Sequence, residues 1–250
     1  MSNPIPESKL ERIRALLAKA EATEYEGEAE SFRNAAMSLM AKYGVEQAML
    51  QHHGATTESL EKRVIEISGE YPKEKAYLLG RISKALGLYS YASTLVRGRQ
   101  TLRTEVIVCG FPSETEQVEL LYTSMLLQAA REMKKDLSDV WRVRGNQLKA
   151  FKRTWLLGFA NKIYERLEEQ RAKAVAETPT ASDGTSTTLV LVDRQAMIKQ
   201  WASKDVEISR PKKRVLSGGG WAYGDEAGER VDIGTEDNRL ARRSAGAITS

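Results

Sequence analysis

The run LYSYASTLVRGRQTLRTEVIVCGFP, residues 88–112, decides the fold class of this chain. Two segments rich in β-branched and aromatic residues, Leu88–Val96 and Leu102–Cys109, flank the polar tetrapeptide Arg97–Gln100. Strand-forming segments joined by a short connection that contains glycine are typical of a β-hairpin. A shorter apolar run at Val64–Ile67 predicts another strand. We therefore expect a small, mostly antiparallel sheet.

Helical spacing of apolar residues predicts long helices on both sides of this hairpin. One helix is expected after Pro72, a second after Pro112 and a third from about Gln147. Ser113 and Glu116 have the spacing of a capping box, in which two side chains satisfy free amides at a helix start. The expected fold class is therefore α+β and predominantly helical. It combines an N-terminal helical hairpin with a small mostly antiparallel sheet packed with long helices.

Composition divides the chain into three predicted parts. Residues 1–50 are expected to form the helical hairpin, with Gly27 as the break between its helices and Gly44 as the C-terminal cap. Residues 60–205 are expected to form the α+β domain. Residues 206–250 are rich in glycine and are expected to form a weakly ordered tail.

Two shorter predictions concern the last third of the chain. The apolar run Leu189–Asp193 predicts a short strand that leads into a helix. The triple glycine Gly218–Gly220 is followed by Trp221 and not by a phosphate-binding lysine. We interpret it as flexible chain.

The composition is that of a folded protein with a small positive charge. Of the 250 residues, 41% are apolar, and the net charge at pH 7 is +4. Residues 51–180 carry 21 basic and 16 acidic side chains, an excess of +5. No apolar run approaches the roughly 18 residues of a membrane span, and the N-terminus lacks the pattern of a signal peptide. We expect a cytoplasmic protein without a membrane partner.

Residues that could hold a metal ion or form a covalent intermediate are scarce. His52 and His53 are the only histidines, and adjacent side chains point in different directions. Cys109 is the single cysteine, and its apolar neighbours predict a reduced strand residue. The sequence contains neither a phosphate-binding loop motif nor a nucleophile elbow. We expect no metal site, no cofactor and no catalytic residue.

The most informative cluster lies in residues 141–155, where five basic residues occur without an acidic one. Basic side chains neutralise phosphates, while an exposed aromatic ring stacks on a base. The alternative is that the aromatic residues face the core and the cations form the solvated side of a helix. The basic residues are Arg142, Arg144, Lys149, Lys152 and Arg153, and the aromatic residues are Trp141, Phe151 and Trp155.

A second basic run, Lys212, Lys213 and Arg214, follows Pro211. It resembles a nuclear import signal or an arm that contacts phosphates. Most tracts of this kind are solvated linker, which is the alternative here.

Several quoted runs resemble a known family. Residues 9–45, with IRALLAKAE at 13–21 and LMAKYG at 39–44, resemble the N-terminal domain of unknown function DUF2786, found in actinobacterial, phage and fungal proteins. The middle of the chain resembles the domain that often follows it. That second likeness rests on Gly110–Phe111, LLYTSMLLQA at 120–129, FKRTWLLGFA at 151–160 and TLVLVDR at 188–194.

The resemblance covers most of residues 9–195 and implies an architecture and a phage or mobile-element source. It transfers no catalytic residue. Some relatives of this kind continue into metalloprotease-like modules, but this chain has no His-Glu-x-x-His helix. If the source is a phage, the cytoplasm is that of a bacterial host.

These observations favour a non-enzymatic binding protein that contacts nucleic acid through the basic segment. Two alternatives remain open. One is a protein-interaction module that engages a host or phage factor through the N-terminal hairpin or the Gly-rich tail. The other is an enzyme whose site is assembled from positions that the sequence does not connect.

Overall fold

A computed structural model describes residues 7–23, 25–52, 59–97, 100–140, 142, 144–178, 184–204 and 218–231. In chain order the elements are α1 (Glu7–Ala22), α2 (Glu26–His52), β1 (Glu61–Glu66), α3 (Pro72–Ala85), β2 (Tyr89–Arg97), β3 (Gln100–Gly110), α4 (Pro112–Asp139), α5 (Gly145–Glu177), α6 (Thr187–Ala202) and α7 (Trp221–Arg230).

The strands form one antiparallel sheet in the order β1-β3-β2. Glu61 of β1 pairs with Gly110 of β3, and Tyr89 of β2 pairs with Cys109 of β3. The predicted hairpin and the α+β, predominantly helical fold class are confirmed.

Alternation along β3 places apolar residues on both faces of the sheet. Val106 and Val108 pack into the main helical core, whereas Ile107 and Cys109 pack in a second cluster with Ile198 of α6. Because successive strand residues point to opposite faces, the run Val106–Cys109 needs cover on both sides. The sheet is therefore enclosed between α6 and the main core.

The main core draws on all three predicted parts of the chain. It contains Ile13 of α1, Trp155 of α5 and Val231, which follows α7. The N-terminal hairpin thus packs on the body of the molecule, as two short amphipathic helices require in order to bury their apolar faces. The division of the chain into three domains stays a prediction.

The predictions that Gly27 separates the two helices and that Gly44 caps the second one are wrong. Helix α1 ends at Ala22, and α2 begins at Glu26 and continues through Gly27 and Gly44 to His52. The added turns bury Val45 and Ala48 against Ala174 of α5 and Val190 of α6. Tertiary packing outweighs the weak helix propensity of glycine at this position.

The predicted capping box at Ser113 and Glu116 is also wrong. Phe111 occupies the N-cap position of α4, and its side chain makes no capping hydrogen bond. Pro112 occupies the first turn, where its fixed φ and missing N–H suit a helix start. The helix consequently begins before Ser113.

The expected strand at Leu189–Asp193 is part of helix α6 instead. Ser186 is the N-cap residue, and its hydroxyl accepts a hydrogen bond from the Leu189 N–H at 3.3 Å. Val190 and Leu191 pack on α2 and α5, while Ile198 packs on the sheet. A helix with apolar residues on several faces has no clear 3.6-residue period, so its sequence resembles a buried strand.

Part of the predicted weakly ordered tail is helix α7, packed closely against α5. A Cβ atom at Gly220 would overlap the Phe151 carbonyl oxygen, and one at Gly224 would overlap the Trp155 carbonyl oxygen. A Cβ atom at Gly228 would lie 2.7 Å from Lys162 Cβ. The predictions of flexible chain at Gly220 and of a weakly ordered tail are wrong for this part of the chain, because absent side chains let two helix backbones approach.

Candidate nucleic-acid interface

Two aromatic residues of the basic segment, Phe151 and Trp155, face the core. Phe151 is 3% exposed and Trp155 is fully buried. The Trp155 indole stacks on Phe159 with ring centroids 5.3 Å apart, and its Nε1 donates a hydrogen bond to Asp136 Oδ2 at 2.7 Å. These two rings cannot stack on a base, which confirms the alternative interpretation for them. Trp141 lies outside the described residues.

The cations of the segment surround the start of α5. Arg142 and Arg144 are exposed, Lys149 is exposed and Lys152 is half-buried. Within the described part of the chain, Arg144, Lys149 and Lys152 have no carboxylate at ion-pair distance. Their positive charge is not neutralised by a described neighbour.

The start of α5 adds a partial positive charge of its own. Arg144 is the N-cap residue without a capping side-chain bond, and the first turn contains no acidic residue. The free N–H groups and the helix dipole favour an anion at such an end. The basic side chains and the helix end therefore both favour the binding of an anion at the start of α5.

Arg153 differs from Arg144, Lys149 and Lys152. Its Nε donates a hydrogen bond to Glu74 Oε1 of α3 at 2.8 Å, and the Glu74 side chain is only 6% exposed. A carboxylate at this distance neutralises the guanidinium locally. The structure therefore separates Arg153 from Arg144, Lys149 and Lys152, although the sequence places these four cations together. Lys212, Lys213 and Arg214 lie outside the described residues.

A buried polar cluster lies apart from this segment, between α2, α4 and α6. Arg194 donates hydrogen bonds to Glu114 at 2.7 Å through Nη1 and to Gln51 at 2.7 Å through Nε. Its guanidinium also lies over the Phe111 ring, 4.5 Å from the centroid. One side chain thus links three helices.

This polar cluster borders a small cavity that is also lined by Arg171 and Leu121. Burial lowers the pKa of the Arg171 guanidinium. The cavity volume is about 20 Å³, which is the size of about one water molecule. The cluster joins α2, α4 and α6, and Glu114 Oε2 and Arg194 Nη2 are buried there without a hydrogen-bond partner among the described residues. Sequence reasoning missed it because Glu114 and Arg194 are far apart along the chain and match no motif.

Metal and membrane signals are absent from the described residues. No group of three or more His, Cys, Asp or Glu side chains is placed there to hold a metal ion. None of the described helices combines the length and the apolar character that crossing a bilayer requires.

The N-terminal helices can be compared with known families. Residues 8–47 match the family described as a protein of unknown function (DUF2786). The match covers α1 and most of α2, and it confirms the resemblance predicted for this part of the chain. No curated protein and no solved structure gives a significant match. The basic segment of α5 lies outside the matched residues.

Proposed function

We propose that this protein is a non-enzymatic nucleic-acid-binding protein that contacts phosphates through Arg142, Arg144, Lys149 and Lys152. The supporting observation is the collection of exposed cations at an uncapped helix start without an acidic residue in its first turn. Phosphate contacts of this kind supply affinity without reading base sequence. The expected partner is therefore bound with little sequence preference.

A triple variant of the α5 cations tests this proposal. Arg144→Gln, Lys149→Gln and Lys152→Gln remove the charge and introduce an unbranched polar side chain of similar helix propensity, so the fold should persist. The slope of log affinity against log salt should fall by roughly two to three units, since each phosphate contact contributes about 0.7 to 0.9. A matched control removes three other exposed lysines, Lys42, Lys199 and Lys204. An equal fall in variant and control would mean that only net charge matters and would contradict a defined site.

A protein-interaction module is the second candidate, supported by the outer face of α6. Leu189, Val192 and Met197 are 51%, 54% and 45% exposed, respectively. Exposed apolar side chains grouped on one helix are typical of a protein interface. Val192→Asp should abolish co-purification of a stoichiometric protein partner and leave nucleic-acid affinity unchanged. The alternative route through the Gly-rich tail has less support, because α7 uses its glycines to pack on α5.

The proposal includes a phage or actinobacterial source and a cytoplasmic location. The source rests on the likeness of the N-terminal helices to their family, and the location is that of the bacterial host which such a source implies. Purification of the native protein from its host, with its bound nucleic acid identified, would test both.

A further inference from the structure

Helix α3 presents an exposed face that carries only positive charge. Lys73, Tyr77, Arg81 and Lys84 lie within about 80° of one another around the helix axis, at the 100° per residue of an α-helix. Glu74 is the single acidic residue of α3, and it is buried against Arg153. Protein surfaces ordinarily intersperse both signs of charge, so an all-basic helix face is a distinct feature.

Arg81 is held in place by neutral groups. Its Nε donates a hydrogen bond to the Tyr77 hydroxyl at 2.8 Å, and its Nη2 donates one to Asn161 Oδ1 of α5 at 2.6 Å. The guanidinium also lies 5.1 Å from the Tyr77 ring centroid and 4.6 Å from that of Tyr164. Hydrogen bonds and stacking fix its orientation, while no described carboxylate neutralises its charge. A pre-oriented cation loses less entropy when it binds an anion.

Lys84 extends the same arrangement. Its Nζ lies 5.0 Å from the Tyr164 ring centroid, on a ring that Arg81 also contacts. Two cations are thus gathered on one aromatic side chain of α5. Tyr77 is 37% exposed and lies along α3 between Lys73 and the two cations Arg81 and Lys84.

The α3 face continues toward the start of α5. Glu74 contacts Arg153, and Arg81 contacts Asn161, so both helices advance in the same direction along their contact. Parallel helices bring their positively polarised N-terminal ends to the same end of the molecule. Lys73 therefore lies at the end of α3 that adjoins the basic segment of α5.

We propose that the α3 face, formed by Lys73, Tyr77, Arg81 and Lys84 with Tyr164 of α5, binds the phosphodiester backbone of nucleic acid and extends the α5 interface. This inference rests on the proposed function and enlarges its site. Lys73 and Lys84 are eleven residues apart, or about 16 Å along a helix at 1.5 Å per residue. Phosphates of one strand recur about every 3.4 Å along the axis of a duplex. A row of cations of this length is therefore long enough to contact more than one phosphate.

The test compares full-length variants on one duplex and one single-stranded oligonucleotide over a salt series. Lys73→Gln, Arg81→Gln and Lys84→Gln together should lower the salt slope by roughly two to three units. Because Arg81→Gln also removes packing on Tyr77 and Tyr164, the double variant Lys73→Gln with Lys84→Gln is measured as well. It should lower the slope by about 1.4 to 1.8 units, at 0.7 to 0.9 per contact.

The outcomes separate this inference from the proposed function. In the first outcome, the wild-type protein and the control lacking Lys42, Lys199 and Lys204 bind, and the α5 variant binds more weakly. If both α3 variants then keep the wild-type salt slope, the α3 inference is wrong and the proposed function stands. If the α3 variants lose slope and the α5 variant does not, the α3 face is the site and the assignment to α5 is wrong. If the wild-type protein does not bind either oligonucleotide, the proposed function fails and this inference fails with it.

Discussion

Glu74 of α3 holds the guanidinium of Arg153 at 2.8 Å, in a pair whose carboxylate is buried and whose cation is about one-third exposed. This pair joins α3 to α5 and removes one cation from the basic segment. Neutralising Glu74 would therefore add one positive charge to the proposed interface without introducing a new basic residue.

Glu74→Gln should increase nucleic-acid binding. The amide keeps a hydrogen bond acceptor for Arg153, whose guanidinium is about one-third exposed, so the free energy of unfolding should fall by no more than about 1–3 kcal/mol. The freed cation should raise the salt slope by about 0.7 to 0.9 units. Fluorescence anisotropy over a salt series measures this, with Glu177→Gln at the far end of α5 as the control of equal charge. An unchanged slope would show that Arg153 does not face the nucleic acid.

Trp155→Ala should destabilise the fold and not selectively weaken binding. Removal of this fully buried ring leaves a cavity and takes the indole donor from Asp136, so the free energy of unfolding should fall by about 3–5 kcal/mol. Trp221, which is 45% exposed, provides the control, and Trp221→Ala should cost less than about 1 kcal/mol. Urea unfolding measures both. A stable Trp155→Ala protein that has lost nucleic-acid binding would contradict the core assignment.

Gly224→Ala should detach or shift α7. The added methyl group overlaps the Trp155 carbonyl oxygen, and this backbone atom cannot move without disturbing α5. The free energy of unfolding should therefore fall by about 1–3 kcal/mol. At Gly219 no atom lies within 4 Å of an added Cβ, and Gly219→Ala should be neutral. Limited proteolysis and thermal unfolding report the difference. Equal stability of the two variants would contradict close packing of α7 on α5.

Arg194→Ala should be among the most destabilising single substitutions of a charged residue. It leaves Glu114, 5% exposed, as a buried carboxylate without its cation, at an expected cost of about 3–5 kcal/mol. Adding Glu114→Gln should recover part of that loss, because the remaining buried group is then neutral. Urea unfolding of the single and double variants measures this coupling, and strictly additive losses would count against it.

Cys109 should react slowly with thiol reagents in the folded protein. The residue is fully buried in β3, and burial raises the pKa of its thiol, while nearby Lys62 lowers it to a smaller extent. A buried thiol with a raised pKa supplies little thiolate. Absorbance assays of labelling with and without denaturant compare the rates. Rapid stoichiometric labelling of the native protein would contradict this placement.

Sequence patterns predicted the hairpin, the long helices and the family match, because each rests on local periodicity or on a contiguous run. Sequence patterns failed where tertiary packing determines the local structure. The glycine-rich sequence around Gly220 and Gly224 is typical of flexible chain, and only the contacts with the Phe151 and Trp155 backbone show that it packs closely. The sequence of α6 resembles a strand because this helix packs on more than one side.

The candidate site was predicted only in part. Clustering along the chain revealed the α5 cations, but it could not show that Glu74 neutralises Arg153. The α3 face does have a local signal, since Lys73, Tyr77, Arg81 and Lys84 recur at helical spacing after Pro72. That signal runs from Lys73 to Lys84 and is interleaved with core positions, so a search for contiguous basic runs misses it.

The salt dependence of nucleic-acid binding by the wild-type protein tests the central claim most directly. Retention on single- or double-stranded nucleic acid at about 50 mM salt should be strong, and log affinity should fall linearly with log salt. The four α5 cations Arg142, Arg144, Lys149 and Lys152 alone account for a slope of about three, since each contributes about 0.7 to 0.9. A steeper slope would indicate that the α3 face adds its own contacts. Absence of retention on both forms at about 50 mM salt, where electrostatic binding is strong, would contradict the nucleic-acid-binding function.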